Sequence, residues 1–293
     1  YYAEDIIVRS PTSIVVGNKG VIGATMATLA EFPDRRLLGE DVIWSGTPEK
    51  GMLSSHRILS TATHAGHGIY GEATGKKVIY RVIADCHAIE NKINDEWLVR
   101  DQGAIVRQLG TTPVDYTRSL ILAEGGPDSC LKPFNPEHDI KGPYIERGNS
   151  NEWGKKYAAA LSDIMNADFT SIRQNYDRAV LAELPGGRTA YSYDGIDEFW
   201  MGLRASFPNA KFEVHHTIGL DEKMLSPRSA IRWSLSGKHD GLGAFGKPTG
   251  ADVYIMGISH ASLARAELGE SSQFLMRSRS GSKYYYTQGR YKF

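Results

Sequence analysis

Cysteine is nearly absent from the 293 residues: Cys86 and Cys130 stand in unlike surroundings, without CxxC spacing. That excludes a disulfide framework and a thiolate zinc site, and leaves reduced thiols in a cytoplasmic protein as the reading. An excess of one charge is also missing. Lys plus Arg and Asp plus Glu number 34 each, so no global field gathers nucleic acid or an anionic membrane. No run approaches the roughly 18 consecutive apolar residues of a membrane span. The opening YYAEDIIVRS has neither a basic n-region nor an apolar h-region, so export is not expected. The histidines are dispersed, with no HxH or HExxH run, which disfavours metal hydrolysis. What remains is an ordinary globular composition, 41% hydrophobic and 23% charged, in a chain longer than the roughly 100–200 residues of one domain. Two domains are expected.

An internal repeat supports that division. A shift of 175 positions sets HAGHGIYGEATG, from His64, on HDGLGAFGKPTG, from His239. His64/His239, Gly66/Gly241, Gly68/Gly243, Gly71/Gly246, Thr74/Thr249 and Gly75/Gly250 coincide without a gap. The same shift places Phe32-Pro33 on Phe207-Pro208, Met26 on Met201 and Arg57 on Arg232. Further back the shift becomes 174, with Tyr2 on Tyr176 and Pro11 on Pro185. The second copy is preceded by a segment whose Tyr157, Leu161, Ile164 and Met165 share one helical face. Nothing before Tyr1 matches it, so a native N-terminal helix is expected to be missing from the first copy.

Residues 20–31 and 195–206 read as matching helices, each ended by Phe-Pro because the residue before proline leaves the helical region. Residues 78–83, 212–218, 229–236 and 253–258 are β-branched and aromatic, as in strands. Residues 86–101 read as a hairpin turning at Glu90-Asn91-Lys92. The proline-rich stretch 111–150, with a short helix at 115–124, reads as a linker packed on the surface through Leu131, Phe134 and Tyr144. The glycine run lacks GKS or GKT and does not lie between a strand and a helix, which disfavours a phosphate loop.

The stretch NKINDEWLVRDQGAIVRQLG, from Asn91, resembles the closing strands of SnoaL-like polyketide cyclases, whose signature is approximately GKIxExWxxxDxxxxxxQLG. Lys92-Ile93, Trp97, Asp101 and Gln108-Leu109-Gly110 fall on it, and TATHAGHG is similar to a TGxHxG-like run of that family. The resemblance covers residues 1–110 well and 151 to about 265 moderately. It implies the nuclear-transport-factor-2-like superfamily in tandem duplication. The fold implied is α+β: two cone-shaped domains, each a curved, mainly antiparallel sheet wrapped around helices, a cystatin-like α+β barrel. The boundaries are 1–110, a linker at 111–150, and 151–293 with a divergent tail.

The resemblance also implies a cofactor-free cyclase of the ester cyclase type, with the family's acid/base aspartate carried over to Asp101. Strand alternation places Trp97, Val99 and Asp101 on one face, an aromatic wall beside a carboxyl. The other reading of Asp101 is an N-cap for the helix opening at Gln102. Asp85 and His87 share a strand face and line either a pocket or a solvated surface; His56 has the same two options. His64 and His239 are expected to tie the glycine loop. Arg57 and Arg232 are expected to pair with carboxylates, and Trp44 and Trp233 to lie in the core. In the second copy the closing strand is matched to 273–278, where Phe274 replaces Trp97, Ser278 replaces Asp101, and the acid/base is lost. His260 replaces Asp85, and the tail that follows is basic and tyrosine-rich.

Three functions remain open: a cyclase, isomerase or lyase using Asp101; a binding module with two apolar pockets; and a scaffold. The partner expected is a small hydrophobic or polyketide-like molecule, with no cofactor, metal, nucleic acid or membrane. The two copies are expected to pack as an internal pseudo-dimer, with homo-oligomerisation left open.

Overall fold

Alternating burial along the β-branched segments draws the chain into two six-stranded sheets. The computed structural model describes residues 1–264 and 282–286. The first sheet contains β1 (Tyr2–Ser10), β2 (Ser13–Val16), β3 (Arg36–Thr47), β4 (Gly51–Thr63), β5 (Lys77–Ile89) and β6 (Lys92–Arg100). Helix α1 (Asn18–Glu31) precedes β3, and α2 (Gln102–Leu109) follows β6. The connecting stretch carries α3 (Pro113–Ala123). Then come α4 (Glu152–Met165), α5 (Thr170–Asn175), β7 (Leu181–Leu184), β8 (Arg188–Tyr191), α6 (Ser192–Ser206), β9 (Lys211–Leu220), β10 (Arg228–Lys238), β11 (Asp252–Ser262) and β12 (Ser282–Tyr286).

This is a mixed α+β chain with curved sheets and, among the described residues, six α-helices. The strand orders are β2-β1-β6-β5-β4-β3 and β8-β7-β12-β11-β10-β9, the same order with every index advanced by six. Pairing is antiparallel except at β1/β6 and β12/β7. The β5–β6 turn is made by Glu90 and Asn91, both at positive φ (50° and 58°), as a two-residue I′ hairpin requires.

The glycine run folds alike in both halves. His64 Nδ1 lies 3.1 Å from Thr74 Oγ1, and His239 Nδ1 lies 3.2 Å from Thr249 Oγ1. The Glu31 carboxylate accepts the Tyr70 N–H, and Ser206 Oγ, 175 residues after Glu31, accepts that of Phe245. Each run passes directly over its helix: a Cβ at Gly66 would sit 1.9 Å from the Ala30 carbonyl oxygen, and one at Gly241 1.8 Å from that of Ala205.

The two sheets pack face to face. Ile83, Trp97 and Val99 meet Met256 and Ile258, with Phe134 of the connecting stretch in the same cluster. Ile43 and Leu53 meet Ile218 and Ala230. On its other face the second sheet is filled by α4, α5 and α6, with Tyr157, Leu161, Trp200 and Trp233 at the centre.

Several expectations need correction. Trp44 is not core but 41% exposed, because β3 is the sheet's edge, whereas Trp233 is fully buried. Leu131 is exposed, and Phe134 alone of the three linker anchors is fully buried. The closing strand placed at 273–278 lies outside the described residues. The strand paired to β11 is β12, whose register sets Lys283 opposite His260, as Trp97 stands opposite Asp85.

Gly66→Ala and Gly241→Ala should each destabilise the protein by about 1–3 kcal/mol, the cost of forcing a rigid backbone apart. Urea unfolding midpoints measure this, and a silent substitution at either position would refute the close approach.

Candidate functional site

Along β6 the side chains alternate between two covered faces. Trp97 and Val99 point to the second sheet, while Glu96, Leu98 and Arg100 point to the face that carries α1. There a cavity of about 760 Å³ opens between sheet and helix, walled by Val8, Val21, Ala24, Phe32, Tyr70 and Leu98. Glu96 is buried in that wall, and its Oε2 has no hydrogen-bond partner. Burial pushes its carboxyl up to about 7; the nearby Tyr2 phenol opposes the shift and Asp85 adds to it. The Nε of Arg100 is likewise sealed from solvent without a partner. At four residues' spacing on one strand face the two groups stand roughly 13 Å apart in backbone position. The cavity therefore has a titratable carboxyl, a cation and an apolar wall between them.

The face toward the second sheet is polar at its centre. Asp85 accepts a hydrogen bond from the Ser55 hydroxyl, and its Oδ2 lies 2.9 Å from His216 Nε2. Ser55 Oγ is also 2.7 Å from His260 Nε2, so with its proton given to Asp85 it accepts from the imidazole. Burial alone would push the Asp85 carboxyl up, but His216, Arg232 and Ser55 outweigh it and hold the acid below its ordinary value. Burial pushes His216 down to about 4 and His260 to about 3, so both are neutral at pH 7.

The other candidates are dispersed. His87 lies on the same sheet face as Asp85, its Nδ1 2.7 Å from Asn94 Oδ1 and its ring against Tyr144. His56 contacts Ser54 at 2.8 Å; burial lowers its pKa against the opposing pull of Asp85, and it does not line the 760 Å³ cavity. Arg57 pairs with Glu40 at 3.4 Å as expected. Arg232 departs from expectation: it forms no ion pair among the described residues and lies over the rings of Trp97 and Tyr144.

Asp101 is taken up by backbone. Its Oδ1 accepts the Ala104 N–H, capping α2, and its two oxygens accept the Gly186 and Gly187 N–H groups of the β7–β8 turn at 2.9 Å. Burial pushes its carboxyl up against these donors and Arg107. It borders a cavity of about 550 Å³ with Arg81, Arg107 and Glu183 instead of the Glu96 cavity or the space beside Trp97, so Trp97 and Asp101 share no wall. The sequence did not single out Glu96, which falls on a variable position of the motif beside Trp97. Period two separates it from Trp97, but with both faces of β6 covered, sequence does not show which face opens on a cavity.

Among the described residues no three His, Cys, Asp or Glu gather to hold a metal ion, and no helix is long and apolar enough to cross a membrane. No protein-family model matches the sequence, and no curated protein matches it. Solved structures are similar to part of the chain. A SnoaL-like polyketide cyclase from Agrobacterium tumefaciens is 21% identical over 38% of this chain and 80% of its own, with a TM-score of 0.31. AclR from Streptomyces galilaeus, a candidate hydroxylase, is 22% identical over 38% of this chain and 68% of its own, with a TM-score of 0.33. IdmH from Streptomyces antibioticus, a candidate polyketide cyclase, is 20% identical over 38% of this chain and 82% of its own, with a TM-score of 0.32.

Replacing Asp101 with Asn turns one acceptor oxygen into a donor facing backbone N–H groups. A loss of about 1–3 kcal/mol in unfolding free energy is expected, and a similar loss for Ala. Unchanged stability in both variants would remove the capping role.

Proposed function

We propose that the chain is a cofactor-independent acid/base catalyst of the polyketide (ester) cyclase type. It closes a ring by an aldol-type step, or carries out a related isomerase or lyase step, on a small hydrophobic or polyketide-like molecule in the cavity beneath α1. The observation that carries this reading is Glu96, a buried carboxyl tuned to about 7 in the wall of a 760 Å³ cavity. Near that pH one carboxyl is available in both forms. The carboxylate takes a proton from the carbon beside a carbonyl, and the acid so formed returns it to the oxygen that gains charge. Arg100 offers a cation to an anionic or carbonyl end of the substrate, and Leu98, Phe32 and Tyr70 exclude water from the reacting carbons.

We assign the acid/base role to Glu96 rather than to Asp101, the position the family signature marks, because the Asp101 lone pairs are engaged by Ala104, Gly186 and Gly187. We further infer that 1–110 and 151–293 are tandem copies of one cone-shaped domain joined by 111–150. The equal strand orders and the repeated loop contacts support this. In the second half aromatic side chains and α4 fill the space that is open in the first, which favours a supporting role there.

A panel of β-keto and poly-β-carbonyl esters, followed by mass spectrometry, tests the reading. Glu96→Gln should lower turnover about 10²- to 10⁴-fold with binding kept, while Asp101→Asn retains turnover in whatever fraction stays folded. The reverse pattern would return the role to Asp101. Ligand binding without turnover would make the chain a binding module.

A second measurement needs no substrate. A carboxyl whose folded pKa exceeds its unfolded value binds its proton more tightly in the native state, so its contribution to stability falls as pH rises from about 4.5 to about 7. Glu96→Gln removes that loss. The stability of the variant relative to the parent should therefore grow across this window by up to about 3 kcal/mol. A pH-independent difference would mean that Glu96 titrates normally and is not the acid/base.

A further inference from the structure

A second cavity, of about 640 Å³, lies at the junction of the two sheets and the connecting stretch, on the opposite side of the first sheet from Glu96. Its wall draws Trp97 from β6, Tyr144 from the connection, and His215, Arg232 and Ser234 from the second sheet. We propose that it is a binding site for a flat organic carboxylate.

The argument is a count of charges and donors. Three carboxylates border the space, and each is already paired: Asp95 and Asp139 with Arg9, and Glu213 with Lys211. Two cations border it without an ion pair among the described residues, Arg232 and Lys141. Asp85 is the strongest opposite charge acting on Arg232, yet it lies beyond ion-pair distance. The Arg232 Nε and the Trp97 indole nitrogen are both sealed from solvent with no hydrogen-bond partner. The rest of the Arg232 guanidinium is only partly buried and lines the cavity, and its nitrogens are donors only, so what completes it must bring acceptor oxygens.

Stacking fixes the shape. The guanidinium lies 4.6 Å from the Trp97 ring centroid and 5.5 Å from that of Tyr144. That holds the fork in one plane and leaves its edge for a carboxylate, the geometry in which arginine binds one through two parallel N–H bonds. Phe134 and Tyr254, packed 5.5 Å apart in the same wall, offer an apolar surface for the body of the molecule. The ligand's negative charge thus meets Arg232 and its flat body meets the aromatic rings.

Benzoate, cinnamate and indole-3-acetate are the probes, with benzamide as the neutral isostere of benzoate, read by calorimetry and thermal shift on the full chain. At least one carboxylate should bind and raise Tm, with benzamide at least about tenfold weaker. Arg232→Gln should weaken binding by about tenfold or more, and Lys141→Gln, at a more exposed position, by about threefold. Glu96→Gln should bind the probes like the parent, so failure of the catalytic reading leaves this site untouched. If Arg232→Gln does not fold, the benzoate/benzamide contrast and Lys141→Gln decide. Absence of binding by all three carboxylates, equal binding of benzamide, or unchanged affinity in both variants would overturn the proposal.

Discussion

The arrangement depends on one buried ion, the Asp85 carboxylate held between the sheets. A carboxylate taken out of water costs several kcal/mol unless donors and cations surround it. Here the compensation comes from both halves: Ser55 donates from β4, His216 Nε2 lies 2.9 Å from the carboxylate, and Arg232 adds positive charge at longer range from the second sheet. Removing either sheet would leave the charge uncompensated, so the face-to-face packing and the ionisation of Asp85 require each other.

The 175-residue relation sharpens the point. Asp41 and Asp85 of the first half correspond to His216 and His260 of the second, and both His216 and Asp41 stand opposite the matching arginine in the strand register. Asp85 faces His216, and Asp41 is the leading carboxylate acting on His260.

The same junction explains the division of labour between the faces of β6. With Trp97 and Val99 committed to the second sheet, the opposite face is left to Glu96, Leu98 and Arg100 beneath α1. In the second half, among the described residues, the matching face is covered by α4 and α5 and filled by Trp200 and Trp233, where the first half has a cavity. A carboxyl in such an apolar wall is raised by desolvation, and a raised carboxyl suits proton transfer near neutral pH.

Local signals determined much of this by themselves. The Phe-Pro stops, the β-branched runs and the Glu90-Asn91 turn depend on backbone sterics within a few residues, so α1, α6, the strands β5, β9, β10 and β11 and the β5–β6 hairpin were legible, whereas β3 was not. The repeated glycine run was legible too, because its close approach to the helix admits only glycine. The tertiary structure decided what period two cannot: which face of each strand meets a cavity, a second sheet or water. Asp101 became a cap for α2 joined to the β7–β8 turn because Gly186 and Gly187, 85 and 86 residues away, present their N–H groups to it. Arg232 became a cation stacked on rings, without an ion pair among the described residues, because Trp97 and Tyr144 arrive from distant segments. Alternation assigns neighbours to opposite sides, and only packing assigns a chemistry to each side.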